Sequence, residues 1–220
     1  MEFIQNLAAA VLPPFFVIYY MYKNDLYEKE PHGLIFKTFI VGCLVVLPVL
    51  LFSLDESFYP NKFLFALLGV ALFEEGFKFI FLRFYNYNKK DFNEPYDGIF
   101  YAVIISMGFA LVENIFYVLG NQGREMSIAI LRCFTAIPLH ATCGVIMGYY
   151  MGKNKMISKN KVLNLSTGLL LSIVIHGLYN YFLFAGFGLL FSLMIVIIAV
   201  IFSNKAIKIH QDNSPFKSGN

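Results

Sequence analysis

The amino-acid sequence predicts an all-α polytopic membrane bundle of about seven transmembrane helices, and three observations carry that expectation. Of the 220 residues, 58% are hydrophobic and only 14% charged, with a mean hydropathy of +0.65; a soluble domain of this length would carry far more polar surface. The apolar residues gather into runs near the roughly 20 residues that a helix needs to cross a bilayer. The basic residues divide unequally between alternate loops.

The expected spans are about 4–22, 34–54, 62–84, 96–119, 127–152, 162–184 and 186–203. They make residues 1–203 one integral-membrane domain and leave 204–220 as a polar cytoplasmic tail, free to move. The start Met1-Glu2-Phe3-Ile4-Gln5-Asn6 lacks the positive charge of a secretory signal, so the first run is expected to be retained as a span. Pro13-Pro14 should kink it. The third run holds Phe73-Glu74-Glu75-Gly76-Phe77-Lys78 in its middle. In the fifth, Gly144, Gly148 and Gly152 recur every fourth residue, a ridge that lets another helix approach closely. Little more than Ala185-Gly186 separates the last two runs. Trp is absent, so the interfacial aromatic belt falls to tyrosines such as Tyr19, Tyr20, Tyr85, Tyr87, Tyr149 and Tyr150 at run ends.

Thirteen of the 17 Lys and Arg residues fall on one side of the expected bundle. Lys62 and Arg124 fall on the other, and Lys78 and Arg132 lie within spans. The positive-inside rule then puts the N-terminus outside and the C-terminus in the cytoplasm, with an odd number of crossings. A net charge of +3 is too small to suggest a nucleic-acid partner. Cys43, Cys133 and Cys143 all lie in apolar runs with no metal-type spacing and no sign of a disulfide framework.

Ionisable groups at membrane depth cost about 2.5–3.5 kcal/mol each on insertion scales, so a chain that keeps several has paired them or uses them. The spans hold Glu74, Glu75 and Lys78, then Glu113 and Asn114, then Arg132 and His140, then His176 and Asn180. At 1.5 Å per residue, Glu74 and Glu75 lie about twelve residues into their helix, His140 about thirteen and His176 about fourteen, so all reach the midplane. Lys78 is spaced i+4 from Glu74 and i+3 from Glu75, and Asn180 is i+4 from His176. Glu113 and Arg132 flank one outer loop at similar depth, which predicts an ion pair and is more easily read as structural than as chemical.

A buried glutamate and a histidine that reach one water can activate it for attack on a carbonyl. A second histidine with an asparagine one turn on offers donors to the oxyanion that forms. These are the parts of peptide hydrolysis without a covalent intermediate. A zinc site of Glu74, His140 and His176 is the alternative. No His-Glu-x-x-His spacing supports it, and Lys78 already brings positive charge to the place, so the metal-free form, with no cofactor, is preferred. Intramembrane carboxylates, lysine and histidine also build proton-coupled transporters. Against that stand the odd span count and the lack of an internal repeat. A non-catalytic immunity or scaffold protein is the third reading.

Several further segments join these residues: Asp25-Leu26-Tyr27-Glu28-Lys29-Glu30-Pro31, Pro95-Tyr96-Asp97-Gly98-Ile99-x-Tyr101, Gly108-Phe109-Ala110-x-Val112-Glu113-Asn114-Ile115-x-Tyr117, Pro138-x-His140-Ala141 and His176-Gly177-x-x-Asn180. Together with Glu74-Glu75-x-x-Lys78 and Arg132, in this order, they resemble the PrsW family of intramembrane proteases. That family is similar to the wider superfamily of CAAX-type prenyl endopeptidases and bacteriocin-processing or immunity proteins. The resemblance implies a multi-pass protein of the bacterial cell membrane in which Glu74 and His140 activate water. It makes His176 and Asn180 the oxyanion hole, Glu75 an essential partner and Lys78 the counterpart of an arginine in the prenyl endopeptidases. It further implies that the partner in the bilayer is a membrane-anchored protein substrate, a single-span anti-sigma factor cut first outside the membrane.

Overall fold

The computed structural model describes residues 2–157, 160–186 and 188–217. Lys159 of the charge count lies outside them. The described chain is helical, with no strand: α1 (Glu2–Lys23), α2 (His32–Leu44), α3 (Val46–Phe52), α4 (Lys62–Leu64), α5 (Leu72–Phe81), α6 (Pro95–Gly120), α7 (Glu125–Phe134), α8 (Ala136–Met156), α9 (Lys161–Phe184) and α10 (Leu189–Asp212). Two π-helical segments, Phe65–Ala71 and Leu82–Asn86, flank α5, so residues 62–86 form one helical run.

The interruptions have a common cause. Proline has no N–H to give to the carbonyl four residues back. Pro48 therefore leaves Leu44, where α2 ends, and Pro138 leaves Phe134, where α7 ends. The α2–α3 and α7–α8 pairs still act as single membrane-length stretches. Among the described residues, six stretches are long and apolar enough to cross a membrane: Phe3–Lys23, His32–Phe52, Pro95–Gly120, Glu125–Met156, Val162–Phe184 and Leu189–Asp212. The expected third span is the exception, because every membrane-length window of 62–86 contains Glu74, Glu75 and Lys78. The last helix begins at Leu189 and continues to Asp212, past the expected end at 203, with Ser203 and His210 buried. His210 Nε2 donates to the Tyr149 carbonyl at 2.9 Å.

Contacts between helix ends fix the parity of the bundle. The Gln211 amide donates to the Asn24 carbonyl, so the ends of α10 and α1 meet. Tyr96, at the start of α6, donates to the Met21 carbonyl at 2.9 Å, and Lys155, at the end of α8, donates to the Tyr87 and Phe92 carbonyls at 2.6 Å each. At the other end Lys62 donates to the Phe184 carbonyl at 2.7 Å. The beginning of α1 and the end of α10 therefore lie at opposite ends of the bundle, which requires the run 62–86 to count as a pass.

The centre of the fold is α6, buried along most of its length and packed most extensively on α8. Contact there is backbone to backbone. A Cβ on Gly98 would overlap Gly148 and Gly152, and one on Gly152 would overlap Pro95. The ridge Gly144, Gly148, Gly152 thus seats α6. On its opposite side α6 meets α2, where Gly108 lies against Phe39 and Gly42 against Ile105. Pro95 and a reciprocal Glu94–Asp97 capping box start the helix. The acidic loop before α2 packs there. Burial, and then the Glu94 carboxylate, raises Asp25 to about 7, while burial and then Asp97 raise Glu30 to about 10.

Two outcomes follow. Gly148→Ala should cost about 1–3 kcal/mol through overpacking and lower Tm in detergent by about 2–10 °C. Gly76→Ala, where a Cβ meets nothing within 4 Å, should not lower it. The charge asymmetry gives the orientation: in a chain without its native cysteines, an impermeant maleimide should label Ser57→Cys on intact cells and Lys90→Cys only after lysis.

Candidate active site

Four helical segments bring the expected residues together. Glu74, Glu75 and Lys78 come from α5, His140 from α8, His176 from α9, and Glu113 from α6. Glu74, Glu75, Lys78, His140 and His176 are all buried, Glu75 completely. Lys78 Nζ is the hub. It lies 2.8 Å from Glu75 Oε1, 3.1 Å from His140 Nδ1 and 3.8 Å from Glu74 Oε2. Its ammonium also sits 4.1 Å from the centre of the Phe109 ring, a cation–π contact in a water-poor setting.

The donors assign the tautomers. Lysine has no acceptor, so Lys78 donates and His140 Nδ1 accepts. The proton of His140 is then on Nε2, which donates to Glu113 Oε2 at 2.8 Å. Both ring nitrogens of His140 are thereby engaged. His176 Nδ1 donates to Glu75 Oε1 at 2.8 Å, which leaves Nε2 as an acceptor 3.8 Å from Glu74 Oε2. The two imidazoles meet edge to face at 5.1 Å. With both histidines neutral, three carboxylates face two cations, Lys78 and Arg132. The least compensated carboxylate is Glu74, whose Oε2 has no hydrogen-bond donor.

Arg132 and Glu113 pair as expected, Nη2 to Oε2 at 2.6 Å. The pair does more than neutralise charge, because the same Glu113 oxygen holds His140. Arg132 Nε also donates to Asn114 Oδ1 at 2.6 Å, Asn114 reaches the Ala10 carbonyl at 3.2 Å, and Tyr117 stacks 4.0 Å from the guanidinium. Asn180 makes no hydrogen bond to this network. It lines, with His140, His176, Glu113 and Arg132, a cavity of about 310 Å³ whose apolar walls include Phe65, Leu139 and Leu183. The Lys78–Phe109 and Glu113–His140 contacts are absent from the sequence expectation. Their signal was the spacing Phe109, Glu113, Tyr117, one face of α6 at i, i+4 and i+8.

Glu74, Glu75, His140 and His176 each offer one donor atom within 4.8 Å of the others, a set that suits zinc in kind and spacing. It does not suit a dication in charge. Lys78 Nζ already contacts Glu75 Oε1 and His140 Nδ1, atoms of two of the four residues, and its ammonium would repel the ion.

The network makes Arg132 a support of the site. Arg132→Ala strands Glu113 and Asn114, and should lower stability by about 3 kcal/mol, or Tm by about 6–12 °C in detergent. Adding Glu113→Gln to Arg132→Met should recover part of that loss, because no charge is then left alone.

Residues 30–203 match the family described as PrsW family intramembrane metalloprotease. A protein named Protease PrsW from Oceanobacillus iheyensis is 37% identical over 200 residues, covering 89% of this chain and 91% of that one. Proteins of the same name from Geobacillus kaustophilus and Bacillus subtilis are 37% and 31% identical, covering 81% of this chain in each case and 80% and 83% of the relatives. No solved structure matches the chain. The chain belongs to the PrsW family and is a multi-pass intramembrane protease.

Proposed function

We propose that the protein hydrolyses a peptide bond of a membrane-anchored protein with a water held between Glu74 and His176. One observation carries the reading: Glu74 Oε2 has no hydrogen-bond partner and lies 3.8 Å from His176 Nε2, whose Nδ1 is held by Glu75. His176 Nε2 accepts one hydrogen of the water, and Glu74 takes the other as oxygen attacks the carbonyl. Glu75 orients His176 through Nδ1 and, with His140, holds the Lys78 ammonium. That fixed charge lies beside the developing negative charge without moving during the reaction. Asn180, on the cavity wall one turn beyond His176, supplies a donor to the oxyanion. Glu113 and Arg132 fix His140.

This mechanism needs no metal, since Lys78 provides the positive charge. The family description names a metalloprotease, so the two accounts are put against each other by direct measurement. Purified protein should hold well under one zinc per chain and should cleave equally with and without chelator. One tightly bound zinc, together with loss of cleavage on chelation, would replace Lys78 as the electrophile and leave the protease reading intact. For the substrate, the family resemblance supports a single-span anti-sigma factor, cut first outside the membrane.

The decisive experiment is cleavage of a reconstituted, single-span anti-sigma-like substrate. Glu74→Gln keeps the shape of the side chain and removes the base, so cleavage should fall about 10²–10⁴-fold. Glu75→Gln and His176→Ala should also lose activity. Full cleavage by all three variants, each folded, would sink the mechanism. Lys78→Met should lose cleavage, and Lys78→Arg should keep more of it.

A further inference from the structure

The cavity beside His140 and His176 has walls that the hydrolytic step leaves unused. His176, Asn180 and Leu183 are spaced i, i+4 and i+7 on one face of α9, and all three line it. From α7 come Leu131 and Arg132, and from α8 Leu139. We propose that this cavity is the specificity pocket of the protease: it receives one uncharged, apolar side chain of the substrate next to the bond to be cut, and Leu183 and Leu131 set the size admitted. The pocket serves the hydrolytic reading of Glu74 and His176 and rests on it.

Exposure is graded along the walls. Leu139 is 1% exposed and closes the inner end, whereas Leu183 and Leu131 are 38% and 40% exposed and mark the opening. That opening lies between α7 and α9. The first packs on α1, α6 and α8, and the second on α8, α10 and the π segment Phe65–Ala71. The two helices bound the cavity without packing extensively on one another, so a chain can enter between them. The end of the α9 wall is braced. Lys62 holds the Phe184 carbonyl at 2.7 Å, and Phe65 stacks on the Phe184 ring with centres 5.5 Å apart. The Leu183 side chain is thereby presented from a fixed backbone.

Charge decides what may enter. Glu113 and Arg132 line the cavity and neutralise each other at 2.6 Å, and the Thr135 hydroxyl is given to the Leu131 carbonyl at 2.8 Å. An ionised substrate side chain would lose its water and find no free counter-charge. An apolar one covers Leu131, Leu139 and Leu183 and gains by it. A volume of about 310 Å³ is at the small end of ligand pockets and suits the side chains beside one peptide bond.

The full chain is reconstituted with single-span anti-sigma-like substrates that differ at the two residues flanking the cut, which is mapped by mass spectrometry. At one of these positions Leu should give a kcat/KM at least about tenfold above Asp or Lys. Leu183→Trp should lower kcat/KM for the Leu substrate about tenfold or more and for the Ala substrate less than about threefold. Leu183→Ala should move the preference toward Phe. Asp cleaved as well as Leu would overturn the proposal, and so would Leu183 variants of wild-type Tm that change every substrate equally. A second arm reads occupancy without cleavage, so it separates failure of the pocket from failure of the hydrolytic reading. In a chain that lacks its native cysteines and carries Glu74→Gln, Leu183→Cys is oxidised against single cysteines placed along the substrate. Disulfide coupling should peak at one register, while Ile198→Cys, 53% exposed on α10, gives an even background. Coupling at Leu183→Cys that is absent, or as even as at Ile198→Cys, would overturn the pocket whether or not the protein cleaves.

Discussion

Lys78 is the charge around which this membrane interior closes. An ammonium cannot be left alone at that depth, and here it is buried to 1% exposure. Glu75 supplies the opposite charge, His140 a lone pair and Phe109 a π face, from three different helices. Each of those partners is held in turn: Glu75 by His176, and His140 by Glu113, which Arg132 neutralises. A shift of any one helix along the bundle would break a charge-assisted bond with no solvent to replace it. The polar network therefore fixes the register of α5, α6, α8 and α9 more tightly than apolar side chains facing lipid can.

Satisfying the network leaves Glu74 as the remainder. Glu75 and Glu74 are adjacent in sequence and differ in environment. Glu75 Oε1 receives Lys78 and His176, whereas Glu74 Oε2 receives no hydrogen bond and lies 3.8 Å from both Lys78 Nζ and His176 Nε2. Two like groups are thus given two different environments. The π segment Phe65–Ala71 contributes to this asymmetry. It feeds directly into α5 and packs against α9, where Leu67 touches Gly177 beside His176. Widened helical turns of this kind re-aim the residues that follow, and they recur at functional sites.

How much of this was legible in the sequence depends on what kind of contact was involved. Intervals within one helix were readable, because 3.6 residues per turn fixes them: Glu74, Glu75 and Lys78 share a face, and so do His176 and Asn180. Depth was readable too, because Glu113 and Arg132 flank one short loop at similar distances. The Gly144, Gly148, Gly152 ridge announced close packing but not its partner, and the partner turned out to be Gly98 with the start of α6. Rotation of one helix about its axis relative to another was not legible. From sequence, His140 could face a shared water as easily as Lys78 and Glu113, and only the packed bundle chooses. The end of the last helix was missed for a different reason. Lys205 and Lys208 look like a tail, but Ser203 and His210 on the same helix find buried positions against the bundle. Local polarity is outweighed there by tertiary contact.

One helix ties these features into a single argument. α6 carries Asp97 at its start and Phe109, Glu113 and Asn114 further on, and both its flanks are seated by glycine contacts that tolerate almost no sliding. A helix held this way transmits position along its length. Pro95 and the Glu94–Asp97 capping box set where α6 begins, and where α6 begins sets where Glu113 meets His140. The acidic end and the buried Lys78 network are therefore joined by one closely seated helix.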